Sequence, residues 1–272
     1  MREIHDGSVP RGRRVHIGSA ARSRFGKVRK VVAAAAIASF AVLVLGGGAA
    51  AGPPRELRVL FIGNSLTATN DLPAVVAGIA SRAGRRLEYR TIAPGGYALE
   101  DHWNSGEARA ALAGGRWDAI VMQQGPSALP ESQTSLRAWA IRWADEARAR
   151  GVRPALLTVW PESYRRSALR DVIGSYRRAA AAARAELLPG GDAWRVAWSC
   201  EPVALYGPDG FHPSALGTYT AALAVYGRLF HAPLIGLAPP PGVRPRAARL
   251  LQWSAATALG RRVPRARRCG RA

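Results

Sequence analysis

Arg58-Val59-Leu60-Phe61-Ile62-Gly63-Asn64-Ser65-Leu66 decides how the rest of this chain is read. Four successive apolar residues, Val59 to Ile62, run without a gap into Gly-Asn-Ser. Such a run reads as a buried strand ending in a tight turn that presents one hydroxyl. A parallel sheet gathers its reacting groups at the carboxyl ends of its strands, so Ser65 stands where a nucleophile would. Plain loops use the same turn, with glycine for positive φ and serine capping the next helix. The residues around the turn have to decide between the two.

Outward from that strand, Leu57 to Ile62, short apolar runs alternate with helical periodicity, the pattern of βα units on a parallel sheet. Leu72 to Ala83 predicts an amphipathic helix stopped by Gly84, and Leu87 to Ile92 a second strand leading into Ala93-Pro94-Gly95-Gly96. Glu107 to Ala113 reads as helix, Ala119 to Gln123 as the third strand and Ser132 to Arg150 as a long helix stopped by Gly151. Pro154 to Val159 is the fourth strand, Leu169 to Glu186 a helix, and Leu187-Leu188 a short fifth strand. A turn-rich loop, Tyr206 to Pro213, precedes an apolar helix from Ala215 to Phe230, and Ala247 to Leu259 predicts one more.

The net charge of +21 suggests a nucleic-acid partner only until it is divided along the chain. Residues 1–30 hold nine Lys/Arg against two Asp/Glu, and residues 241–272 hold nine Arg and no acid, which leaves +5 for the middle. A nucleic-acid reader carries its charge on a folded face, so no nucleic-acid partner is expected. Cys200 and Cys269 follow neither a metal-ligand spacing nor a redox motif, and could pair in an exported protein. Basic residues up to Lys30, the uncharged run Val31 to Leu45, then Ala49 and Ala51 in an Ala-x-Ala pattern have the layout of a secretory signal. The same stretch is about long enough to span a bilayer of roughly 30 Å as an uncleaved anchor. Both readings place the domain outside the cytoplasm. The expected organisation is a basic segment 1–30, a signal or anchor 31–52, a catalytic domain 53–240, and a C-terminal helix with a basic, disordered tail 241–272.

A serine nucleophile needs a base, and a third group to hold that base in the right tautomer. His212 stands in Asp209-Gly210-Phe211-His212-Pro213, where a sharp turn lets an aspartate three residues back reach the imidazole Nδ1. The other histidines have weaker claims: His5 and His16 precede the apolar segment, His231 follows the last core helix, and His102 sits beyond Gly95-Gly96.

Gly63-Asn64-Ser65-Leu66, a glycine-bearing loop after the second strand, an amide after the third, and Asp209-x-x-His212 near the end resemble, in order and spacing, the motif blocks of the SGNH hydrolases, also called the GDSL esterase/lipase family. The likeness covers about residues 57–235. It implies an α/β fold, a flavodoxin-like three-layer α/β/α sandwich with a mainly parallel five-stranded sheet. It implies Ser65 as nucleophile, His212 as general base and then acid, and Asp209 as the orienting carboxylate. The oxyanion hole would come from the Ser65 amide, the Gly96 amide with Gly95 as the near alternative, and a third-block amide. Two departures stand out: Asn64 replaces the usual aspartate, and Val121-Met122-Gln123-Gln124-Gly125-Pro126-Ser127 replaces Gly-x-Asn-Asp. Gln123 is the expected third donor, Gln124 the alternative.

The expected activity is ester hydrolysis by acyl transfer to Ser65 and then to water, on a small-molecule or glycan ester such as a cell-envelope O-acetyl group, with no metal or cofactor implied. The alternatives are a lipase or thioesterase acting on longer acyl chains, and a non-catalytic envelope-binding module. Trp160 and Glu162, after the fourth strand, face the same mouth and are expected to be a packed aromatic and a solvated acid.

Overall fold

In the computed structural model, which describes residues 55–263, the first strand β1 (Glu56–Ile62) buries Val59, Leu60, Phe61 and Ile62 completely. Apolar residues at consecutive positions are stable only where both faces of a strand are covered, the situation of a central strand in a parallel sheet. β2 (Arg86–Ile92), β3 (Ala119–Met122), β4 (Arg153–Leu157) and β5 (Glu186–Leu188) complete a five-stranded sheet in the order β2-β1-β3-β4-β5. Every neighbouring pair is parallel. Ile62 is in register with Ile92 on one side and Met122 on the other. The turns after β1, β2 and β3 therefore leave the sheet at one level, where the strand order reverses and a crevice opens.

Nine α-helices follow among the described residues: α1 (Ser65–Ala68), α2 (Leu72–Arg82), α3 (Leu99–Ser105), α4 (Glu107–Gly114), α5 (Pro130–Arg148), α6 (Leu169–Ala182), α7 (Gly190–Cys200), α8 (Ala215–Leu229) and α9 (Pro245–Ala258). One cover of the sheet is formed by α2, α7, α8 and α9 packed on one another, and the other by α3, α4, α5 and α6. This is the flavodoxin-like α/β/α sandwich. The sequence reading ends the catalytic domain at residue 240, yet α9 buries Ala248, Leu251, Ala255 and Ala256 in the same core. Its Gln252 amide donates to Tyr219 Oη and to the Leu237 carbonyl.

Besides the short α1, two helices, α3 and α7, do not show in the sequence pattern. α3 carries one buried aliphatic residue, Leu99, and is held at its start by the Asp101 carboxylate accepting from the Ala98 amide. α7 begins in Gly190-Gly191, which reads as a turn. There the chain passes so close to β4 that a Cβ on Gly191 would collide with the Val159 carbonyl, so glycine is required inside a helix for approach. The Gly191 amide donates to Thr158, at 3.0 Å to its carbonyl and 2.9 Å to its hydroxyl.

Cys200, at the end of α7, is disulfide-bonded; its pairing with Cys269 lies outside the described residues, as do segments 1–30 and 31–52 and the end of the basic tail. Among the described residues, no helix is long and apolar enough to cross a membrane, and no group of three or more His, Cys, Asp or Glu is placed to hold a metal.

Candidate active site

Ser65 is the first residue of α1, and Asn64 caps it: the Asn64 Oδ1 accepts from the Leu66 amide at 3.1 Å. The Ser65 amide, at the open end of this short helix, has no acceptor within the described chain. Gly63 does not have positive φ. It is glycine because a Cβ there would lie 2.6 Å from Gln123 Oε1 and 2.5 Å from Thr67 Oγ1.

The turn is held from beneath by Gln123, which is wholly buried. Gln123 Oε1 accepts from the Asn64 amide (3.0 Å) and from Thr67 Oγ1 (2.7 Å), while Nε2 donates to Asn64 Oδ1 (3.0 Å) and to the Gln124 carbonyl (2.5 Å). Both amide hydrogens of Gln123 are thus committed, and none is left for an oxyanion. The Asn64 side chain in turn donates to the Tyr97 carbonyl (3.0 Å), tying the Gly95-Gly96 loop to the serine turn. Of those two glycines, Gly96 has φ +77 and Gly95 does not have positive φ.

Gln124 is placed differently. Its Oε1 accepts from the Leu99 amide (3.3 Å) and its Nε2 donates to Ser127 Oγ (3.0 Å), which leaves one amide hydrogen uncommitted. A cavity of about 320 Å3 opens here, lined by Ser65, Gly96, Tyr97, Gln124, Ser127 and Phe211 among others. Ser65 and two of the predicted donors, Gly96 and Gln124, therefore share one cavity, and Gln123 lies under it.

His102, in α3, is fully buried, and its Nε2 donates to the Gly63 carbonyl at 2.7 Å. That bond fixes the tautomer and leaves Nδ1 as an acceptor with no partner. Burial pushes the imidazole below its ordinary 6.5, against the opposing pulls of the Gly63 carbonyl, Asp101 and Glu107. His102 is thus a neutral support for the serine turn.

The Asp209–His212 loop is a miniature hairpin. Tyr206 and Pro213 form an antiparallel bridge, and the Gly207 amide donates to the His212 carbonyl at 2.7 Å. At its tip, Gly210 has φ +69. Asp209 Oδ1 accepts from the Phe211 and His212 amides, each at 3.0 Å, while Oδ2 lies 2.5 Å from His212 Nδ1. The Phe211 amide first, and then the His212 ring, hold the Asp209 carboxyl down at about 2. Asp209 does not cap α8, whose cap is Ser214, accepting from the Gly217 amide at 3.1 Å.

The exit of β4 supports this hairpin. Trp160, buried and stacked 3.6 Å from Trp194, donates from Nε1 to the Phe211 carbonyl (3.1 Å). Tyr206 Oη donates to the Pro161 carbonyl (2.7 Å), and the Ser163 amide to the Gly210 carbonyl (2.7 Å). Glu162 pairs with Arg165. The hairpin reaches the serine cavity through Phe211, and no hydrogen bond joins Ser65 to His212 in this structure.

No family model and no curated protein matches the sequence. Several solved structures do match. A DUF4886 family protein from Bacteroides uniformis is 21% identical, with a TM-score of 0.66, and the match covers 75% of this chain and 95% of that one. A candidate SGNH hydrolase from Slackia heliotrinireducens is 29% identical at a TM-score of 0.54, over 63% of this chain and 97% of the other. A catalytic mutant of an acetylxylan esterase from Geobacillus stearothermophilus is 15% identical at 0.53, over 66% and 95%.

Proposed function

We propose that this chain, which has the fold of the SGNH hydrolase superfamily, is a serine ester hydrolase with Ser65 as nucleophile, His212 as general base and then acid, and Asp209 as its orienting carboxylate. The observation that carries the reading is the cavity that gathers Ser65, Gly96 and Gln124 at the switch point of the sheet, with Phe211 of the Asp209–His212 hairpin in its wall.

In this reading Asp209 Oδ2 accepts the His212 Nδ1 proton, so that Nε2 is left to take the Ser65 proton as Oγ attacks the acyl carbon. The oxyanion of the tetrahedral intermediate receives hydrogen bonds from the Ser65 amide, the Gly96 amide and Gln124 Nε2. His212 then returns its proton to the leaving alcohol, and a water repeats the sequence on the acyl-enzyme. Gln124 replaces Gln123 as third donor because its second amide hydrogen is unused and Ser127 steadies the group. Each such donor is typically worth about 2.7–4 kcal/mol of barrier.

The cavity, at about 320 Å3, suits a short acyl group. The Geobacillus neighbour, by its name, is an acetylxylan esterase, and an acetyl ester on a carbohydrate is the substrate class we assign. The reading of residues 31–52 as a signal or anchor supports a substrate outside the cytoplasm. Purified wild type and Ser65→Ala, assayed on p-nitrophenyl acetate, butyrate and octanoate, test the proposal. The acetate should be cleaved fastest, and only by wild type. Equal rates for the two proteins mean a non-catalytic module; a preference for octanoate means a lipase or thioesterase.

A further inference from the structure

We propose that Asn70 is a positioning residue that sets the reach between Ser65 and His212; the inference rests on the ester-hydrolase reading above. The segment after Ser65 is closed by its own hydrogen bonds, from the Thr69 amide to the Ser65 carbonyl (2.8 Å) and from the Asp71 amide to the Ala68 carbonyl (2.9 Å). The chain then turns through two successive left-handed residues that are not glycine, Asn70 at φ 57 and Asp71 at φ 47. Asn and Asp are the non-glycine residues that tolerate this region best, so Asn70-Asp71 suits the turn. Asp71 is accounted for, since it caps α2 by accepting from the Ala74 amide.

Asn70 directs its amide to the chain just after His212 and to α8. Nδ2 donates to the carbonyl of Pro213 at 2.8 Å and to Thr218 Oγ1 at 3.0 Å. Pro213 is the residue after His212, and Thr218 is buried in α8. The remaining braces of the hairpin come from β4's exit and from Ser214. Among the described residues, no other hydrogen bond joins residues 63–71 to residues 205–218. A serine and its base work only within hydrogen-bond reach, and this structure has no Ser65–His212 bond to hold the two loops together. The Asn70 bridge is therefore the polar link that fixes their spacing. A misplacement of about 1 Å can cost roughly 10²-fold in rate.

Two variants separate this role from simple folding. Asn70→Gly keeps the left-handed backbone and removes the amide; Asn70→Asp keeps the size but turns an acceptor toward the Pro213 carbonyl. Both are compared with wild type and Ser65→Ala for kcat and KM on p-nitrophenyl acetate, for the rate of Ser65 labelling by a phosphonate, and for thermal unfolding. The expected result is a kcat lower by about 10²-fold in both variants, slower labelling in parallel, KM within about twofold, and an unfolding midpoint for Asn70→Gly near that of wild type. A wild-type kcat in Asn70→Gly, or a loss explained by a reduced folded fraction, overturns the inference while leaving the esterase reading intact. A wild type no faster than Ser65→Ala removes both.

Discussion

Gln123 and Gln124 are adjacent in sequence and do opposite jobs. As β3 ends, successive side chains leave on opposite sides. Gln123 goes down into the space that Gly63 leaves open and spends both amide hydrogens on Asn64 and on the Gln124 carbonyl. Gln124 reaches the cavity with one hydrogen to spare. Their alanine variants should therefore separate. Gln124→Ala is expected to lower kcat on p-nitrophenyl acetate by about 10²–10³-fold with little change in stability. Gln123→Ala leaves the Asn64 amide and the Thr67 hydroxyl without their buried acceptor, at a cost of about 1–3 kcal/mol per group in urea unfolding. Full stability together with lost activity in Gln123→Ala would return the oxyanion role to Gln123.

At the scale of elements, the serine turn is held between α3 and β3. His102 of α3 grips the Gly63 carbonyl from one side and Gln123 fills the other. Because burial lowers the His102 pKa below 6.5, the unfolded chain binds this proton more readily than the folded one. The stability due to a neutral His102 is complete above pH 6.5 and is lost as pH falls below it toward the folded-state value. Unfolding midpoints measured from pH 8 to pH 5 should fall on the acid side, and His102→Gln should fall less steeply over that interval. Parallel slopes for the two proteins would show that another group is responsible. The opposite wall also rests on α7 (Gly190–Cys200), a helix that the sequence pattern does not show. Gly217 in α8 sits so close to the Leu205 carbonyl and the Trp194 indole that a Cβ would collide with both, and it is there that the base of the His212 hairpin rests.

The whole molecule follows from where the strand order reverses. With β2 and β3 on either side of β1, the loops that carry Ser65, Gly96 and Gln124 emerge side by side, although they are far apart in the chain. Most of the +21 charge lies along the two ends of the sequence, not in the stretch that carries these loops. A signal or anchor at residues 31–52 predicts that protein recovered from the producing cell will be extracytoplasmic. N-terminal sequencing should then find a start near Gly52 after cleavage, or Met1 with membrane association if the segment is an anchor. Soluble protein inside the cell with an intact Met1 would contradict export.

The order of short apolar runs and helical repeats determined the fold class from sequence alone, because a parallel sheet needs strands apolar on both faces with amphipathic helices between them. Glycine-bearing turns after the first two strands and the Asp209-x-x-His212 spacing were legible for the same reason, since each is local along the chain. The direction of a side chain at a strand end is not local. Whether Gln123 or Gln124 faces the cavity depends on the space beneath Gly63, which only the packed structure defines. His102 and Asn70 stayed silent in the sequence because their partners, the Gly63 and Pro213 carbonyls, are backbone atoms far along the chain that carry no residue signature. Tertiary structure alone brought them within reach.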